Sequence, residues 1–149
     1  MRAVVQRVCS AHVSVEGETL GSMEQGLLAL VGVAPDDGPD QVRFLAQKMV
    51  HLRLFPDEAG VMNRSLLEAG GSLGIVSQFT LFADVSKGRR PYYGGAAAPE
   101  QAEALIQQLV EEVRGLGVTV ITGKFGASMQ VGLTNDGPVT LLIDTEKQF

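Results

Sequence analysis

The chain of 149 residues is the size of one domain, since domains commonly run to about 100–150 residues and two halves would each be short of a sound core. Hydrophobic residues make up 45%, charged residues 19%, and glycine occurs 18 times, a composition that excludes a disordered chain and points to a turn-rich globular one. A net charge of −5, from 12 basic and 17 acidic residues, excludes a protein that coats nucleic acid nonspecifically, because phosphate binding of that kind needs a dense Lys/Arg surface.

In chain order, Ala3 to Val15 sets valines among polar residues and stops at Glu16-Gly17-Glu18, which predicts a strand, a hairpin turn and a second strand near Leu20. Arg2 and Arg7 interrupt the apolar N-terminus, so no signal peptide is visible and a cytoplasmic protein is expected. Leu27 to Val33 is a continuous apolar run between Gly26 and Pro35, the pattern of a buried central strand. From about Pro39, the positions Val42, Leu45, Ala46, Met49 and Val50 trace one face of an amphipathic helix, with Asp40 in its first turn. Leu52 to Phe55 and Leu73 to Leu81 read as strands, separated by the turn-rich Pro56 to Gly60 and by Gly70-Gly71. Ala69 to Ala83 is uncharged but glycine-broken and shorter than the ~18 apolar residues of a membrane span, so no membrane association is expected.

Between Asp84 and Glu100 there is no acid, but there are Lys87, Arg89 and Arg90, a basic island whose plain reading is a solvated loop. Pro99 then opens a second helix with Ala102, Leu105, Ile106, Leu109, Val110 and Val113 on one face, ended by Gly115 and Gly117. Three β segments close the chain: Val118 to Thr122, Ser128 to Thr134 and Val139 to Asp144, the last two divided by the turn Asn135-Asp136-Gly137-Pro138. The expected fold class is α/β, a mixed, mostly antiparallel β-sheet system with two helices packed on one side, in a single domain of residues 1–149.

Local signals of chemistry are weak. The nucleophile motif GxSxG is absent, and His12 and His51 are poor bases for a serine triad. Cys9 and His12 lie three apart on a strand and so face opposite ways. One cysteine and two histidines predict neither a disulfide nor a metal centre, and no cofactor is expected. Polar Ser77, Gln78 and Thr80 interrupt an apolar strand; alone they read as a strand end with ordinary satisfied hydroxyls.

Taken together, however, the strings Met1 to Val8, Ser77-Gln78-Phe79-Thr80-Leu81, Gly88-Arg89-Arg90-Pro91, Thr122 to Ala127 with Met129, and Asn135 to Thr140 resemble the D-aminoacyl-tRNA deacylases from end to end. The resemblance implies hydrolysis of the ester joining a D-amino acid, or glycine, to tRNA. It implies a homodimer in which Gly137-Pro138, with a cis peptide, enters the partner's active site and rejects L side chains by collision. It places Ser77, Gln78, Phe79 and Thr80 at the reacting ester, with backbone amides of Gln78 and Phe79 as oxyanion donors. Ala97, Phe125 and Met129 would line the site of the terminal adenosine, with Phe79 or Phe125 against the adenine. Lys87, Arg89 and Arg90 would meet tRNA phosphates. Phe82 and Tyr92 to Ala98, apart from Ala97, receive no role. Water attack assisted by the terminal 2′-hydroxyl is implied, which leaves Thr80 a positioning residue. Two other readings stay open: a nonenzymatic tRNA- or nucleotide-binding module, and an esterase with Thr80 as nucleophile.

Overall fold

The computed structural model describes residues 1–148. Its first strand, β1 (Arg2–Val15), turns at Glu16 and Gly17, both with positive φ, into β2 (Glu18–Met23). Two successive positive φ values match the right-handed twist of a hairpin, which is why a glycine belongs there. Next comes β3 (Gly26–Gly32), which pairs antiparallel with the N-terminal half of β1, whereas β2 pairs with the C-terminal half.

Helix α1 (Pro39–His51) begins with proline in its first turn and with the Gly38 N–H donating to the Gln41 side chain at 2.9 Å. Its buried residues are Val42, Leu45, Ala46, Met49 and Val50, the stripe expected from the sequence. A small antiparallel pair follows, β4 (Arg53–Pro56) with β5 (Met62–Ser65), then a one-turn helix, α2 (Leu66–Ala69). Neither β5 nor α2 was expected, yet Ser65-x-x-Glu68 is a capping box: the Glu68 N–H donates to Ser65 Oγ at 3.1 Å and the Ser65 N–H to Glu68 Oε1 at 3.3 Å.

Strand β6 (Ser72–Ser77) runs parallel to β3 and to β7 (Val120–Thr122), with helix α3 (Pro99–Gly115) crossing between β6 and β7. The last strand, β8 (Gln130–Asp144), lies antiparallel along most of β1. The main sheet is therefore ordered β2-β1-β3-β6-β7, with β8 against β1. At its far ends β2 and β7 come together: a side chain at Gly21 would meet Ile121 Cβ at 3.1 Å, so the sheet is curled almost into a barrel.

The central strands of that sheet are buried on both faces. Leu27, Ala29, Val31, Leu73 and Ile75 join the helix residues Leu45, Met49, Leu109 and Val113 in the larger core. Leu28 and Val76 face the other way, into a smaller core with Val8, Ala11, Val13 and Met23. A strand covered on both faces has no polar side to present, which explains the unbroken apolar run at β3. The mixed, mostly antiparallel sheet with α1 and α3 on one side is the expected fold, and each buried Leu, Val or Met contributes about 1.5–3 kcal/mol of burial free energy. No helix among the described residues is long and apolar enough to cross a membrane.

Two expectations are corrected. The strand predicted to reach Leu81 stops at Ser77, and Phe79–Phe82 forms a 3-10 turn, because β3 ends at Gly32 and offers β6 no partner beyond. The last ladder bond runs from the Gln78 N–H to the Val31 carbonyl at 2.7 Å. The two C-terminal strands are one strand with a bulge: Gln6 pairs with Thr140 but Val8 with Asn135, so five steps along β8 face two along β1.

Candidate active site

The 3-10 turn stands beside an open cleft of about 620 Å³. Its floor is the C-terminal end of β3 and β6, where a parallel sheet presents the last side chains and amides of its strands. Ser77, Gln78 and Phe79 supply one wall and Ala97, with Pro99 at the start of α3, another. Phe125 and Met129 close the third side. Phe125 is held at the tip of a turn whose Ala127 N–H donates to the Lys124 carbonyl at 3.1 Å. Six of the residues named from the sequence thus converge on one cavity, including Ala97, which the Ala97 N–H to Val33 carbonyl bond of 2.9 Å fixes in place.

The turn itself is anchored from below. Arg2 donates to the Leu81 carbonyl at 3.1 Å, lies over the Phe82 ring at 4.6 Å, and pairs with the buried Asp144 carboxylate at 3.2 Å. Gly32 is required at this crossing, because a side chain there would meet the Gln78 carbonyl oxygen at 2.9 Å and the Phe82 ring at 3.1 Å.

Two details bear on the chemistry that the resemblance implies. The Gln78 N–H is spent on Val31, so of the two amides expected to face an oxyanion, the Phe79 N–H is the one at the unpaired start of the 3-10 turn. Thr80 is not among the cleft-lining residues; its hydroxyl accepts a hydrogen bond from the Gln78 side-chain amide. No hydrogen bond joins Thr80 to a histidine or carboxylate among the described residues. His12 is exposed on β1, with its ring over Gly132, and Cys9 is exposed as well.

Lys87, Arg89 and Arg90 are exposed on a loop outside the cleft, closed by the Asp84–Tyr92 bridge (Asp84 N–H to Tyr92 carbonyl 2.7 Å, Tyr92 N–H to Asp84 carbonyl 2.9 Å). The Asp84 carboxyl, which receives the Ser86 hydroxyl and then its N–H, is held below the ordinary carboxylate range of 3.8. Directly after this bridge comes Tyr93, a cleft-lining residue to which the sequence assigned nothing. Its ring packs edge-on against Phe79, centroids 5.2 Å apart. The signal available was an aromatic pair, Tyr92-Tyr93, one proline beyond Arg89-Arg90.

Gly137 and Pro138 lie apart from their own chain's cleft, exposed on the β8 bulge and joined by a cis peptide. Asn135 closes the bulge: its Oδ1 accepts the Val139 N–H at 2.8 Å, and its Nδ2 reaches the Val139 carbonyl at 3.3 Å and Thr140 Oγ1 at 3.2 Å. Arg7 braces it from β1, donating to the Asp136 carbonyl at 3.0 Å and to the Leu54 carbonyl at 2.6 Å.

Comparison with known proteins places this arrangement. A D-aminoacyl-tRNA deacylase of Thermosipho africanus (strain TCF52B) is 53% identical over 149 residues, covering 100% of both chains. One from Fervidobacterium nodosum (strain ATCC 35602 / DSM 5306 / Rt17-B1) is 54% identical with the same coverage. Among solved structures, a c-Myc DNA unwinding element binding protein superposes with a TM-score of 0.91 at 37% identity, over 97% of this chain and 99% of that one. A probable eukaryotic D-amino acid tRNA deacylase shares the fold, with a TM-score of 0.83 at 20% identity over 95% and 97% of the two chains. The family model described as D-Tyr-tRNA(Tyr) deacylase matches residues 4–144, and the chain belongs to that family.

Proposed function

We propose that this chain, acting as one cytoplasmic domain that pairs with a second copy, hydrolyses the ester of D-aminoacyl-tRNA and of glycine mischarged on tRNA. The observation that carries the reading is the union, in one cleft, of the Ser77-Gln78-Phe79 strand end with Phe125 and Met129. The terminal adenosine lies against Phe125 and Met129, which brings the ester carbonyl to the start of the 3-10 turn. Water attacks the carbonyl carbon, the Phe79 N–H stabilises the oxyanion, and the ribose 3′-oxygen leaves with a proton relayed by the neighbouring 2′-hydroxyl. The products are the free amino acid and tRNA. Thr80, lacking a base, holds the Gln78 side chain.

Chirality is read by Gly137 and Pro138 of the second copy. These residues stand clear of their own cleft and are braced by Asn135 and Arg7, a rigid main-chain projection suited to another subunit's site. Its carbonyls accept the substrate amino group, admit a Cα hydrogen and collide with an L side chain.

The test is hydrolysis of D-Tyr-tRNA ending in adenosine or in 2′-deoxyadenosine, by the wild-type protein and by Thr80→Ala. The expected result is cleavage of the ribo substrate by both proteins, within about 10-fold of each other, and loss of the deoxy substrate; a general acid–base contribution is about 10²–10⁴-fold. Failure of Thr80→Ala on a deoxy substrate that wild type cleaves makes Thr80 the nucleophile. Binding of tRNA without any cleavage makes the protein a binding module.

A further inference from the structure

We propose that Tyr93 and Phe79 form a stacking platform for the unpaired nucleotide immediately upstream of the terminal adenosine; this rests on the deacylase reading above. Both rings stand at the rim of the cleft, with Phe79 58% and Tyr93 40% exposed. They meet edge to face at 5.2 Å and 70°, so each locks the other's orientation while leaving aromatic surface uncovered. Rigid, exposed rings beside a cation cluster are the chemistry that captures single-stranded nucleic acid, because every base has a π face and the backbone carries charge.

The charge pattern favours one direction for that strand, with Lys124 beside Phe125 the one cation on the opposite wall among the described residues. Tyr93 follows the bridged loop that carries Lys87, Arg89 and Arg90, and no acidic residue occurs between Val85 and Pro99. At the α3 wall of the cleft, Glu100 and Glu103 are exposed, and Glu103 borders a recess that Phe125 also lines. A polyanion is repelled from α3 and drawn over the rim past Tyr93 toward the basic loop. With the terminal adenosine against Phe125 and Met129, the next base toward the body of the tRNA comes to the Phe79–Tyr93 rim.

The test compares D-Tyr-tRNA with D-tyrosyl-adenosine, which has no upstream nucleotide, using wild type, Tyr93→Phe and Tyr93→Ala. Stacking of one base predicts that Tyr93→Ala loses roughly 10-fold more kcat/KM on the tRNA than on D-tyrosyl-adenosine, with the difference in KM, and that Tyr93→Phe restores it. Equal losses on the two substrates, or no loss on either, overturn the platform even though wild type still cleaves D-Tyr-tRNA. If wild type cleaves neither substrate, the deacylase reading itself falls.

Discussion

At the scale of single residues, the cleft is lined mostly by apolar side chains, with a few places taken by small residues and backbone groups. Ala97 lines it through its place in the chain, and Phe79 offers an N–H as well as a ring. Such roles leave little trace in composition, and the string Ser77 to Leu81 therefore reads alone as a strand end. What sequence patterns could not show is that the Gln78 N–H is already taken by Val31, a fact set by where β3 stops. Asn135 is the opposite case, a side chain in a turn-like string whose three hydrogen bonds hold the Gly137-Pro138 bulge. Asn135→Ala removes these partners, each worth about 1 kcal/mol, and frees the bulge. A several-fold loss of D-Tyr-tRNA hydrolysis is expected, with a small fall in the urea midpoint; full activity would show that the bulge holds its shape without Asn135.

Among secondary-structure elements, the long periodic ones were legible and the short ones were not. Helix α1 buries the five residues its spacing marks, and β1, β3 and α3 follow their apolar patterns. Apolar periodicity does not reveal where a partner strand ends, so the 3-10 turn was read as strand and the bulged β8 as two strands. Arg2 fastens the turn to Asp144 and thus to the end of β8. Arg2→Met leaves the buried Asp144 carboxylate without this cation and the Leu81 carbonyl without this donor. The expected cost is about 2–3 kcal/mol in chemical denaturation, with kcat lowered more than KM is raised and partial recovery in Arg2→Lys. An unchanged denaturation midpoint would mean that the anchor does not hold the turn.

For the whole molecule, the curled sheet puts the cleft and the Gly137-Pro138 bulge in separate places on one chain. On the proposed reading, one copy carries an ester site and a projecting main-chain wall that do not meet, and a second copy would supply the missing part. The sequence made both parts visible through resemblance, but their separation is a property of topology, with β8 returning along β1 while the cleft opens at the ends of β3 and β6. Gly137 is held at φ +142°, and a side chain there would meet Val139 Cγ2 at 2.7 Å and the Val139 nitrogen at 2.8 Å. Alanine at this position distorts the wall at a cost on the order of 1–3 kcal/mol without touching the chain's own cleft. The most direct measurement is therefore the ratio of D-Tyr-tRNA to L-Tyr-tRNA hydrolysis by wild type and by Gly137→Ala, with circular dichroism to verify that the variant is folded. Wild type is expected to prefer the D ester by roughly 100-fold or more, and folded Gly137→Ala to lose most of that preference or the activity itself. Equal hydrolysis of both esters by wild type, or an unaltered rate and ratio in the variant, would contradict the chiral wall.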